Sequence, residues 1–173
     1  MVAAISSTPG WVPVHFDEAQ YATWLLDLDL SYQTKGPFVT FTQWLVQGLA
    51  LPPLIAMRLP AWFAFVVAAL GLIWVGYRTG LRDQRLWILV LSLSCAPMVI
   101  LLAMVHTTDI WLLAMIILSL GAFAEVVHRD GQHGAEIWWV LMGVALGLGA
   151  LAKLSIALIP LALLPWVILR MPQ

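Results

Sequence analysis

The sequence predicts an all-α, polytopic membrane helical bundle of about five transmembrane helices, with two interfacial helices ahead of them. Three observations carry that expectation. Of 173 residues, 62% are hydrophobic and only 10% charged, and the mean hydropathy is +0.95, a balance suited to a chain whose solvent is mostly lipid. Several apolar runs reach or approach the roughly 17–25 residues needed to cross a hydrocarbon core. Trp62, Trp87, Trp111, Trp138, Trp139 and Trp166 sit near the ends of those runs, where an amphipathic indole is favoured at the headgroup level.

Taken in order, Asp17 and Glu18 precede Tyr21, Trp24, Leu25 and Leu28. These apolar residues recur at helical spacing, as expected of a helix lying on a membrane rather than through it. A second such helix is expected from Phe38 to Leu51, ended by Pro52 and Pro53, because proline cannot continue a helix interior. The turn between them is SYQTKGPF, from Ser31 to Phe38. Spans are then expected at Pro60 to Tyr77, Leu86 to Val105, Ile110 to Val127, Ile137 to Ala152 and Leu154 to Leu169, the last two separated by Lys153. Gly143 and Gly147 form a small-xxx-small pair in the fourth span, and small residues at that spacing let helix backbones approach closely. Cys95, the single cysteine, excludes an intrachain disulfide and reads as a buried thiol.

Charge fixes an expected orientation. RTGLRDQR, from Arg78 to Arg85, holds three arginines, while the segment from His106 to Asp109 has no Lys or Arg. The positive-inside rule makes the arginine-rich loop cytoplasmic. Alternation puts Arg129 and Arg170 on that side. It leaves Asp17, Glu18, Asp27, Asp29, Lys35, Arg58, Asp109 and Lys153 on the other. With a net charge of −1 and no basic stripe, nucleic acid is not an expected partner. The bilayer is.

Singly, these residues have structural uses. Asp17, Glu18 and Asp109 suit helix starts, and Lys35 and Arg58 suit snorkelling to headgroups. His106 reads either as an ordinary interfacial histidine or as a group touching a metal or a phosphate, and no His, Asp and Glu spacing matches a zinc motif. Together, on one side of a membrane, they suit a different chemistry. A carboxylate can take the proton of an incoming hydroxyl while Lys and Arg stabilise a departing phosphate.

FDEAQY, SYQTKGPF, MRLPA, HTTD and GLGALAK, in that order and spacing from Phe16 to Lys153, resemble the polytopic glycosyltransferases of the dolichyl-phosphate-mannose protein mannosyltransferase and aminoarabinose transferase group. The resemblance implies a GT-C architecture, with residues 1–173 a partial transmembrane glycosyltransferase domain. Residues 1–58 would be an extracytoplasmic loop and 59–173 the transmembrane helices. It also implies sugar transfer from a polyprenyl-phosphate-linked donor to a lipid, protein or glycan acceptor on the extracytoplasmic side. By matching motif, Asp17 would be the catalytic carboxylate with Glu18 beside it, and Asp109 the second acidic residue. Lys35 would contact the donor phosphate, with Lys153 stabilising charge nearby and Tyr21, Arg58 and His106 completing the substrate-binding set. Some members of the group use a divalent metal, so a cation is a candidate cofactor.

The chain departs from the pattern in three places. A membrane span normally precedes the Asp-Glu loop, further spans normally follow, and Gln20 stands where the aminoarabinose transferases carry a basic residue. The expectation is therefore an N-terminal portion of a larger enzyme, inactive as an isolated piece. Two other classes compete: a noncatalytic membrane scaffold and a small transporter subunit. A transporter should place ionisable residues near the midplane of its spans, yet here only Glu125 lies within a span. The glycosyltransferase reading requires the acidic pair Asp17 and Glu18, with Lys35, Asp109 and Lys153, to converge in one pocket facing away from the cytoplasm.

Overall fold

The structure is a computed structural model that describes residues 13–32, 35–129 and 133–170. The first twelve residues and positions 33 and 34 of the SYQTKGPF turn lie outside it, as does the side chain of Arg170. Among the described residues the secondary structure is helical without strands. Eight α-helices follow in order: α1 (Phe16–Trp24), α2 (Phe38–Gln47), α3 (Pro53–Arg78), α4 (Asp83–Ser94), α5 (Pro97–Met104), α6 (Thr108–His128), α7 (Glu136–Ala152) and α8 (Leu158–Arg170), with a 3₁₀ turn at Leu154–Ala157 before the last.

The two short helices expected ahead of the bundle are present as α1 and α2. A capping box starts α1: His15 Nδ1 accepts the Asp17 N–H at 3.2 Å, and the Glu18 carboxylate accepts the His15 N–H at 2.9 Å. Glu18, not Asp17, therefore supplies the reciprocal cap. Helix α3 begins at Pro53, with Pro52 as its N-cap, a position that tolerates proline because its missing N–H would be unbonded anyway. Arg58 is consequently a helical residue buried to 3% exposure, rather than a loop residue reaching headgroups.

The long apolar run from Leu86 to Val105 is not one straight span. It breaks into α4 and α5, which meet at a bend of 61°. Pro97 is the cause: it lacks an N–H and forces the preceding residue out of the helical region, and Ala96 is extended with φ −63° and ψ 125°. By length and composition α3 and α6 qualify as membrane spans, and the bent α4–α5 pair qualifies if it counts as one. The fourth and fifth expected spans are shorter apolar helices, of 17 residues in α7 and 13 in α8. Among the described residues the architecture is a membrane helical bundle, with two to three helices of full span length and shorter apolar helices beside them.

Helix α6 is the centre of the core, packed between α3 and α7. The face that α3 buries includes Ala61, Ala64, Ala68 and Gly71 beyond Met57, an alternating four–three spacing in which the last four draw a narrow stripe of small residues along one side of the helix. Gly71 lies against Ile117 and Leu118, and Gly121 lies against the Trp74 ring. Helix α7 buries Ala145, Gly149 and Ala152, so its close-packing small pair is Ala145 and Gly149. Gly143 and Gly147 face open space, two residues and about 200° around the helix from that contact. Trp111 is likewise no interfacial indole. It is 5% exposed and packs edge-on to Phe38 at 4.9 Å.

Charge separates to the two ends. At the α6 C-terminus, the buried Glu125 pairs with Arg78 of α3 and with Arg129 at 3.1 Å, and accepts the Trp74 indole N–H at 3.2 Å. Asp109 begins α6 at the other end, about 24 Å away along the helix. That second end holds the cavity described next.

Candidate active site

Four chain segments meet at this end: the first turn of α1, the Lys35–Pro37 turn, the first turn of α6, and the break after α7. They enclose an open cavity of about 670 Å³ lined by Asp17, Tyr32, Lys35, Thr108, Asp109 and Lys153 among others.

The local fold explains each placement. Asp17 stands in the first turn of α1 with its side chain one-quarter exposed, close to the partial positive charge of the helix start. Lys35 reaches back from the turn and donates to Asp17 Oδ1 at 2.5 Å and to the Tyr21 hydroxyl at 3.0 Å. Asp109 occupies the first turn of α6, after Thr107 as N-cap. Lys153 is the extended residue that ends α7, with φ −159° and ψ 127°, and its Nζ donates to Asp109 Oδ1 at 2.6 Å. The cavity thus holds two lysine–aspartate pairs.

Electrostatics follow from this geometry. Burial draws the Lys35 ammonium down, but its bonds to Asp17 and Tyr21 and their nearby charge outweigh burial, holding its pKa above the ordinary lysine value. Lys35 is therefore a cation throughout the neutral range. Burial pushes the Tyr21 phenol up against the pull of Lys35, so Tyr21 stays protonated there too. An ammonium has three donors. Lys35 spends two on Asp17 and Tyr21 and Lys153 spends one on Asp109, which leaves one N–H on Lys35 and two on Lys153 for an anionic ligand. The pairs cancel in formal charge before that anion arrives.

Three expected site residues lie behind the cavity instead. Successive helical side chains point about 100° apart, so Asp17 facing the cavity turns Glu18 into the interior, where it is fully buried. Glu18 accepts from Arg58 Nε at 2.9 Å and Nη2 at 3.1 Å, from the His15 N–H at 2.9 Å and from the His106 N–H at 3.2 Å. The Glu18–Arg58 pair ties α1, α3 and the segment before α6 together. His106 is also fully buried. Its Nε2 accepts the Trp111 indole N–H at 3.3 Å, and burial lowers its pKa to about 3, so it is a neutral ring rather than a phosphate-binding cation. None of these three lines the cavity, and their contacts form a buried network beneath Asp17. Tyr21 is buried as well, but its hydroxyl holds Lys35.

Among the described residues, no three His, Cys, Asp or Glu side chains gather as a metal-holding group. Asp17 and Asp109 each already hold an ammonium, so this donor set does not fit a resident divalent cation. Tyr32 was not singled out in the sequence. It lines the cavity with its ring stacked on Trp24 at 4.2 Å, and its place three residues before Lys35 was the available signal.

A family model described as dolichyl-phosphate-mannose-protein mannosyltransferase matches residues 34–172. The match takes in Lys35, Asp109 and Lys153 and begins after α1, so the inclusion of Asp17 and Tyr21 rests on their contacts with Lys35. No solved structure matches the chain. With most of its length matched, this chain belongs to the dolichyl-phosphate-mannose-protein mannosyltransferase family of membrane glycosyltransferases.

Proposed function

We propose that the cavity transfers a sugar from a polyprenyl-phosphate carrier to a hydroxyl of a lipid, protein or glycan acceptor. The observation that supports this reading is the meeting of two lysine–aspartate pairs around one open cavity. In the reaction, the acceptor oxygen bonds to the anomeric carbon as that carbon's bond to the phosphate oxygen breaks. The acceptor proton goes to a base and the leaving phosphate gains one negative charge. Asp17 is the proposed base, because a carboxylate at the cavity wall is within reach of a bound hydroxyl. Lys35 and Lys153 carry the spare N–H groups that the departing phosphate requires, and prearranged cations of this kind act where charge develops. When phosphate draws on Lys35, Asp17 is released from its tightest partner and becomes the better base. Asp109 keeps Lys153 extended toward the cavity.

Sidedness has its own support. Arg78, Arg82, Arg85 and Arg129 belong to the end of the bundle opposite the cavity, and the positive-inside rule assigns such an end to the cytoplasm. The proposed site is then extracytoplasmic, at the level where a polyprenyl chain lies in lipid and its phosphate meets water.

The test is sugar transfer by membranes carrying the protein expressed from its complete reading frame, with a radiolabelled polyprenyl-phosphate sugar as donor. Lys35→Met and Lys153→Met should each lower the rate by about 100-fold or more while leaving the amount inserted unchanged. Parental rates in both variants would reject the cavity as the place of transfer.

A further inference from the structure

Gly36 differs from the other described glycines in what a side chain there would meet. A Cβ on Gly71, Gly76, Gly121 or Gly149 would meet side-chain atoms, and on Gly48, Gly80, Gly134, Gly143 or Gly147 nothing within 4 Å. At Gly36 it would fall on backbone, 2.5 Å from the Leu151 carbonyl carbon, closer still to its oxygen, and 3.2 Å from its Cα. Side chains rotate away from such an approach, whereas the last turn of a 17-residue helix does not. No positive φ marks Gly36, so space alone calls for glycine here. Lys35 immediately precedes this contact on one strand of chain, and Lys153 follows it by two residues on the other. Gly36 and Leu151 line the same cavity as Lys35 and Lys153. Pro37, which follows as the N-cap of α2 with φ −74°, holds the turn from its other side.

We infer that Gly36 is a positioning residue whose missing side chain sets the separation of Lys35 and Lys153, so that both ammonium groups grip one phosphate. The inference rests on the proposed function above. A Cβ at Gly36 forces the turn and the α7 terminus apart by about 1 Å or more, and a misplacement of that size costs about 100-fold in a positioned reaction. Two cations that grip one phosphate together depend on each other, and the dependence is measurable as non-additivity in a double-mutant cycle.

The probe is farnesyl phosphate, binding to the detergent-solubilised protein. In the parent, Lys35→Met and Lys153→Met should each weaken binding by about tenfold, and the double variant by clearly less than the product of the two. In a Gly36→Ala background the same substitutions should have smaller, multiplicative effects, while Gly48→Ala should leave the cycle as in the parent. A second variant guards against misfolding: one glycine inserted between Lys35 and Gly36 keeps Gly36 against Leu151 but frees Lys35, and should abolish the coupling as well. Coupling that persists in either folded variant overturns the role of Gly36. If neither lysine substitution weakens binding in the parent, the proposed function itself fails, a different outcome read from the same data.

Discussion

Replacing Glu18 by alanine separates the scaffold from the reacting groups more sharply than any other single change. Glu18 is fully buried and accepts four hydrogen bonds, two of them from the Arg58 guanidinium, which is itself 3% exposed. Removing the carboxylate takes away two hydrogen bonds of the buried Arg58 guanidinium and the acceptor of the His15 and His106 N–H groups. Breaking a buried pair in this way costs about 3–5 kcal/mol, which for a chain of this size lowers the melting temperature by on the order of 10 °C. The neighbouring change, Asp17→Asn, keeps an oxygen that accepts from Lys35 at a partly exposed site and should shift stability by less than about 1 kcal/mol. Melting of the detergent-solubilised variants, followed by tryptophan fluorescence, gives both numbers. A further variant sharpens the assignment. Glu18→Ala combined with Arg58→Met should be more stable than Glu18→Ala alone, because replacing both members of a buried ion pair costs less than removing one of them. If Glu18→Ala melted with the parent yet lost sugar transfer, the carboxylate would belong to the chemistry and the account of α1 would be wrong.

Other consequences are read with ordinary assays. His106 has a pKa lowered by burial from 6.5 to about 3, so between those values the unfolded chain takes up a proton that the folded chain does not. Stability should therefore fall as pH drops below about 6.5, by up to about 1.4 kcal/mol per unit, and His106→Gln should flatten the acid limb of a melting-versus-pH curve; an unchanged limb would remove His106 as its source. A Cβ on Gly121 would lie 2.6 Å from Trp74 Cε3, in a ring already held by Glu125. Gly121→Ala should thus destabilise by about 1–3 kcal/mol where Gly143→Ala does not, and equal melting of the two would contradict the α3–α6 packing. For orientation, Lys35→Cys in a Cys95→Ser background should react with an impermeant thiol reagent from outside intact cells. Labelling that appears only after permeabilisation would reverse the proposed sidedness.

Much of this architecture was legible in the sequence, for identifiable reasons. Hydropathy reveals apolar length, so α3 and α6 were recognisable. It does not reveal continuity, and Leu86 to Val105 looked like one span although Pro97 held the signal for the break. Residue identity suggested a common destination for Asp17, Glu18, Lys35, Asp109 and Lys153, and all of these but Glu18 line one cavity. What the motifs could not express was helical phase. Asp17 and Glu18 are neighbours in a helix of nine residues, too short for an apolar stripe to tell which faces the core. Glu18, Arg58 and His106 therefore group with Asp17 by motif, while the structure places them in a buried network beside the cavity rather than on its wall. The same limit applied to α7, where Gly143 and Gly147 have the right spacing on the open side and Ala145 and Gly149 make the contact. Gly36 was quoted within a motif, but the Leu151 carbonyl that demands a glycine lies far along the chain. Contacts of that kind cannot be read from local sequence.

The most direct measurement is the single-turnover rate of sugar transfer by Asp17→Asn, compared with the parent at equal amounts of inserted protein and saturating donor. With Asp17 as the base that receives the acceptor proton, the rate should fall by about 10²–10⁴-fold while melting and farnesyl phosphate binding stay close to parental. Turnover within a few-fold of the parent would contradict the central claim that this carboxylate, held by Lys35 at the cavity wall, takes part in the chemistry.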